Sequence, residues 1–168
     1  MLVTPRVAAD RGKRGGAIAA DSIQSILIFA TSLVSNKASL LGGAIYLAFD
    51  TGHGQLPLNN VSLRNNTAVE LGGGLYVKGD VNMSISNRSV VEGNAATGAS
   101  QVWSERKVIV RDSNLMLSSG SVSSEMRLAS VEITGSGGLI CPVNSQLVMV
   151  NMDTAVVLGC TPCEGASF

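Results

Sequence analysis

Short apolar runs recur along the whole chain, and within them apolar and polar positions tend to alternate. Ala44-Ile45-Tyr46-Leu47, Leu75-Tyr76-Val77, Val81-Asn82-Met83-Ser84-Ile85, Val108-Ile109-Val110, Leu115-Met116-Leu117, Val131-Glu132-Ile133 and Leu147-Val148-Met149-Val150 are the clearest. Runs of three to five residues with a period of two and many β-branched members predict strands. No segment carries a helical apolar stripe with caps, so a βαβ sheet is not expected.

The runs belong to a repeat. SLVSNKASLLGGAIY, which contains Asn36 and Gly42-Gly43, returns thirty residues later as SLRNNTAVELGGGLY, which contains Asn66 and Gly72-Gly73. An earlier copy begins at Gly15-Gly16-Ala17-Ile18, and a decayed one follows Asn94 as Ala95 to Val102. Repeats of this length mean stacked equivalent units rather than a globule around one pocket. Short strands with a variable period predict an all-β parallel β-helix with three strands per coil and five to six coils. Strands in successive coils lie about 4.8 Å apart. Ile18 is then expected under Ile45 and Leu75, and Ala38 under Ala68.

Two motifs have structural readings of their own. Asn tolerates left-handed backbone and bonds to nearby backbone. Asn36, Asn66 and Asn94 are expected to form a buried side-chain ladder that satisfies otherwise costly polar groups. The pairs Gly42-Gly43 and Gly72-Gly73 allow a sharp turn into the next strand. A phosphate cradle is not supported, because neither a dinucleotide-binding nor a P-loop pattern is present.

The Gly-Gly-Ala-Ile motif, paired with an upstream x-x-Asn motif, resembles the repeats of the polymorphic outer-membrane protein family. Gly15–Ile18 and Gly42–Ile45 match the first motif, and Gly72–Leu75 is a variant. In the second motif Leu33, Leu63 and Val91 stand where the family has Phe. The resemblance covers roughly 15–102 and fades after that. It implies a right-handed parallel β-helix on a cell surface, with adhesion as the usual role. Similar repeats in large protist and algal surface proteins are often followed by a Cys-rich module, whose opening Gly159-Cys160-Thr161-Pro162-Cys163-Glu164-Gly165 resembles.

Composition narrows the function classes. The 12 basic and 12 acidic residues cancel, so nothing favours nucleic acid as a partner. Charged residues are 14% of the chain, and the polar surface comes from Ser, Thr and Asn instead. No apolar stretch is long enough to span a bilayer. The division expected is a polar N-terminal tail or fragment edge over 1–14, parallel β-helix repeats over 15–140, and the last coil and start of a Cys-containing segment over 141–168. The expected setting is extracellular or cell-surface, as part of a longer chain.

The candidate chemistry is sparse. Cys141, Cys160 and Cys163 all lie in the last 28 residues. Cys160-x-x-Cys163 allows a redox pair, half a zinc knuckle or a disulfide. A disulfide fits best, with Cys141 pairing to Cys160 or Cys163. Asn60, Asn65, Asn82 and Asn87 open N-glycosylation sequons. Asp50 and Asp80 share one repeat position and form a candidate Ca²⁺ pair, the sole cofactor candidate. They could also serve polysaccharide cleavage, although solvated loop acids are the simpler reading. His53 reads as an exposed loop residue. Tyr46 and Tyr76 read first as a packing ladder, and with Trp103 as a small sugar-binding patch. The reading is therefore a non-enzymatic scaffold or adhesion segment with a surface glycan or protein as ligand. The alternative is a carbohydrate-active β-helix enzyme, a lyase or hydrolase.

Overall fold

A computed structural model describes residues 2–3, 6–8, 11–49, 53–116, 126–136, 138–152 and 155–163. It is a parallel β-solenoid whose coils pass over four faces. The first face stacks β1 (Leu2–Val3), β5 (Leu27–Phe29), β9 (Gly54–Asn59), β13 (Val81–Ser86), β16 (Lys107–Arg111) and β19 (Ser130–Thr134). The second stacks β2 (Arg6–Ala8), β6 (Ser32–Val34), β10 (Ser62–Arg64), β14 (Val90–Glu92), β17 (Asn114–Met116) and β20 (Gly138–Ile140). The third is short, with β3 (Arg11–Arg14), β7 (Lys37–Leu41) and β11 (Thr67–Ala68). The fourth stacks β4 (Ile18–Ile23), β8 (Ile45–Phe49), β12 (Leu75–Lys78), β15 (Val102–Ser104) and β18 (Met126–Leu128). An antiparallel hairpin of β21 (Ser145–Met152) and β22 (Ala155–Pro162) extends it, with β22 beside β18.

Three points differ from the sequence expectation. A coil has four strand segments rather than three. The extra corner comes from single residues in left-handed backbone, with φ of 58° at Ser35 and 54° at Asn65, which separate the second and third faces. The solenoid makes about four turns rather than five to six; among the described residues three coils carry a strand on every face, and the last ends in the hairpin. Finally, the described residues within 1–14 supply β1, β2 and β3, which pair with β5, β6 and β7 and open the first coil.

The core is a set of aliphatic columns. Ile45 and Leu75 are in register with each other and continue to Ile18 on one side and Val102 on the other. Ala38 pairs with Ala68. Leu33, Leu63, Val91 and Leu115 make a second column, all essentially buried. Like residues in register pack well against one another along a ladder. The coil tightens along the axis. Ile28 pairs with Leu58, thirty residues on, whereas Val110 pairs with Ile133 after twenty-three. Among the described residues no helix is long and apolar enough to cross a membrane.

The last coil is only partly covered. Leu158 and Cys160 on β22 are buried against the core, yet Ile133, Leu147 and Met149 remain 42–52% exposed. Leu147 and Met149 pair with Cys160 and Leu158. They therefore continue the inner side of the fourth face beyond the last coil.

Candidate functional site

Two polar ladders run through the interior, each at a corner. In the first, the Asn66 side-chain oxygen accepts from the Asn36 backbone N–H and from the Asn36 side-chain amide, both at 2.9 Å. The Asn66 amide donates to the Leu33 carbonyl at 3.0 Å and to the Asn94 side-chain oxygen at 2.9 Å. Asn94 repeats the arrangement one coil on, accepting from Asn66 and donating to the Leu63 carbonyl. Both Asn residues are buried and use their full capacity of two acceptor sites and two donors. The ladder ends on Gln101, whose side-chain oxygen accepts the Asn94 amide at 2.8 Å. Gln101 lies only seven residues further along the same coil. It occupies the place that an Asn of the next coil would take.

The glycine pairs turn the next corner, between the third and fourth faces. Gly15, Gly42 and Gly72 have φ of 62–65°, the left-handed region, and Ala99 continues their column at 49°. The next residues, Gly16, Gly43 and Gly73, are held apart by nothing but backbone. A Cβ on Gly43 would fall on the Gly73 carbonyl oxygen, and one on Gly73 would fall on that of Ser100. In line with Gly73 stands Ser100, which carries a side chain.

The second ladder is built from hydroxyls and was not anticipated. The Val61 N–H donates to Ser89 Oγ at 2.9 Å, and the Ser89 N–H donates to Ser113 Oγ at 3.2 Å. The hydroxyls themselves donate to carbonyls two or three residues earlier, Ser89 to Ser86 and Ser113 to Arg111. Thr31, Ser89 and Ser113 are buried. Each stands immediately before a second-face strand, and that offset is the signal a sequence search would need.

Outside the fourth face, aromatic rings stack along the axis. Tyr46 and Tyr76 have centroids 5.4 Å apart and planes within 7°. Tyr76 and Trp103 are 4.4 Å apart and within 4°. The Arg14 guanidinium lies over Tyr46, 4.9 Å from its centroid, and donates to its hydroxyl, which donates in turn to Asp21. Burial in the stack, the Glu105 charge and Tyr46 push the Tyr76 phenol above its usual range. Among the described residues the free end of the stack is Trp103. A small cavity of about 210 Å³ opens beside it, lined by Trp103, Ser104, Glu105, Arg127 and Ala155. A wider groove of about 690 Å³ runs past Asn87, Arg88 and Asp112. There the Asp112 carboxylate is held below the usual range by donors from the Ser136 backbone and hydroxyl.

The acids do not gather. Asp80 lies between Arg106 at 3.3 Å and His53 at 3.0 Å. Asp50, the other half of the calcium pair, lies outside the described residues. Arg64 pairs with Glu92 and Lys107 with Glu132, each across adjacent coils. Among the described residues no group of three or more His, Cys, Asp or Glu could hold a metal ion. His53 is largely exposed.

Cys141 and Cys160 form a disulfide with Cα atoms 5.6 Å apart, which ties the hairpin to the end of β20. Cys163 is free and exposed. Asn60, Asn65, Asn82 and Asn87 are all exposed. Asn60, Asn65 and Asn87 occupy left-handed corners, whereas Asn82 points outward from β13. No protein-family model matches the chain, and no curated protein or solved structure matches it.

Proposed function

We propose that the chain is a non-enzymatic scaffold or adhesion segment of a surface or secreted protein. The observation that carries this reading is how the molecule divides its polar groups. The buried ones form ladders that hold coil to coil, and the outward ones form ladders and pairs repeated along the axis. Such an architecture presents an extended surface of similar units, as solenoid binding proteins do. The Cys141–Cys160 disulfide fits an oxidising, extracellular-type compartment. The four exposed sequons and the resemblance to polymorphic outer-membrane protein repeats point the same way.

One observation favours the enzymatic alternative, a polysaccharide lyase or hydrolase. Asp80, His53 and Arg106 bring an acid, an imidazole and a guanidinium together at one corner. The test that separates the readings is a glycan array probed with the oxidised chain, with and without Ca²⁺, followed by analysis of the bound polysaccharides for cleavage. Binding with intact glycans is the expected result. Cleavage that disappears in Asp80→Asn would replace the scaffold with an enzyme.

A further inference from the structure

The aromatic stack is asymmetric, and the asymmetry points to a ligand. Tyr46 is closed at one end by the Arg14 guanidinium, which covers its ring. Trp103 is covered on one face by Tyr76. Among the described residues nothing stacks on its other face, and the indole lines the cavity toward the next coil. In that coil the register partner of Trp103 is Arg127, a far thinner occupant than a ring. Among the described residues the column of rings thus stops at Trp103, with Arg127 at the next rung and a cavity beside it.

The cavity carries polar groups at its rim. The Glu105 carboxylate accepts the Gly79 N–H at 3.1 Å, which orients it in advance of any ligand. Arg127 is exposed and forms no ion pair among the described residues, so its donors are at hand. One carboxylate and one guanidinium make the rim neutral overall. At about 210 Å³ the cavity is below the roughly 300–1,000 Å³ that holds drug-sized ligands. It suits a single six-membered ring.

We propose that this cavity is a binding site for one neutral pyranose unit of a glycan. The C–H face of the sugar lies on the free face of Trp103 and extends the aromatic column by one rung. Its hydroxyls donate to Glu105 and accept from Arg127. With one charge of each sign the rim is neutral overall, which matches the neutral hexoses. The inference rests on the adhesion reading and supplies its contact point.

Trp103 is the chain's one tryptophan, so its emission reports on this site alone. The experiment is a fluorescence titration of the oxidised chain with methyl β-D-glucopyranoside, methyl β-D-galactopyranoside and methyl α-D-mannopyranoside. A saturable shift with at least one glycoside is expected. Arg127→Ala, an exposed change that leaves the stack intact, should weaken it roughly tenfold, as losing a charged hydrogen bond does. Glu105→Gln should weaken it less. Emission unmoved by all three sugars, or a shift unchanged in Arg127→Ala, overturns the site. A glycan-array profile kept in full by Trp103→Ala, with unchanged circular dichroism, also overturns the site but leaves the adhesion reading standing. Loss of array binding in Trp103→Ala with rescue by Trp103→Phe supports both.

Discussion

The Gln101 side-chain oxygen accepts the Asn94 side-chain amide at 2.8 Å, and so terminates the buried Asn ladder from within the same coil. Without that acceptor, the Asn94 side-chain amide would lose one partner, and the Asn94 backbone N–H, which donates to the same oxygen at 3.4 Å, would lose another. Gln101→Leu should therefore cost at least about 1–3 kcal/mol, the usual penalty for an orphaned buried polar group. Asn66→Leu strands groups on both neighbours and should cost more, about 3 kcal/mol or above. Urea unfolding with an unchanged m-value checks both.

Ala99 continues a column of left-handed glycines at φ 49°. An L-residue in that region is strained by about 1–2 kcal/mol. Part of this is offset because Gly loses more freedom on folding. Ala99→Gly should stabilise the protein slightly, by up to about 1 kcal/mol. Gly43→Ala should do the reverse and far more strongly, because its new methyl meets backbone of the next coil that cannot step aside. Thermal melts of the two variants should move in opposite directions.

Alkaline pH should weaken the aromatic stack. Burial raises the Tyr76 phenol above its ordinary value of about 10. The folded state then holds its proton where the unfolded chain has released it. This contribution to stability is complete below about pH 10 and is lost as pH rises from there through the folded value. Tyr76→Phe keeps the ring and removes the ionisation. Melting temperatures between pH 9 and 11 should fall less steeply in that variant than in the wild type.

Reduction should loosen the end of the solenoid. The Cys141–Cys160 link spans 19 residues, and a loop near that length contributes about 3 kcal/mol in the chain-entropy picture. Cys141→Ser should lower stability by roughly that amount. A thiol assay should find one reactive group, Cys163, on the native oxidised chain and three after reduction in denaturant.

Much of the solenoid can be read from the chain because its columns repeat. Ile45 and Leu75, or Asn36 and Asn66, are the same residue types at the same offset, and each stacks on its copy. What escaped was whatever depends on a single backbone angle or on a repeat with mixed members. Ser35 takes left-handed geometry without being Gly or Asn, so the separate third face has no signal in the sequence. The hydroxyl ladder mixes Thr31, Val61, Ser89 and Ser113, and its shared offset is visible only once the register is known. Gln101 was legible as part of a decayed repeat, but not as the residue that ends the ladder. The proposed sugar site is legible in its three aromatic rings, whereas Glu105 and Arg127, the polar groups of the same proposal, belong to no repeat.

The most direct measurement is hydrogen exchange at the side-chain amides of Asn66 and Asn94, followed by NMR on the oxidised chain. Each is placed in a closed, buried ladder between coils, so its hydrogens can leave only when coils separate. Exchange with the free energy of subglobal or global unfolding is the predicted result. Exchange as fast as that of the exposed Asn82 amide would contradict the ladder, and with it the stacking of coils on which every further reading depends.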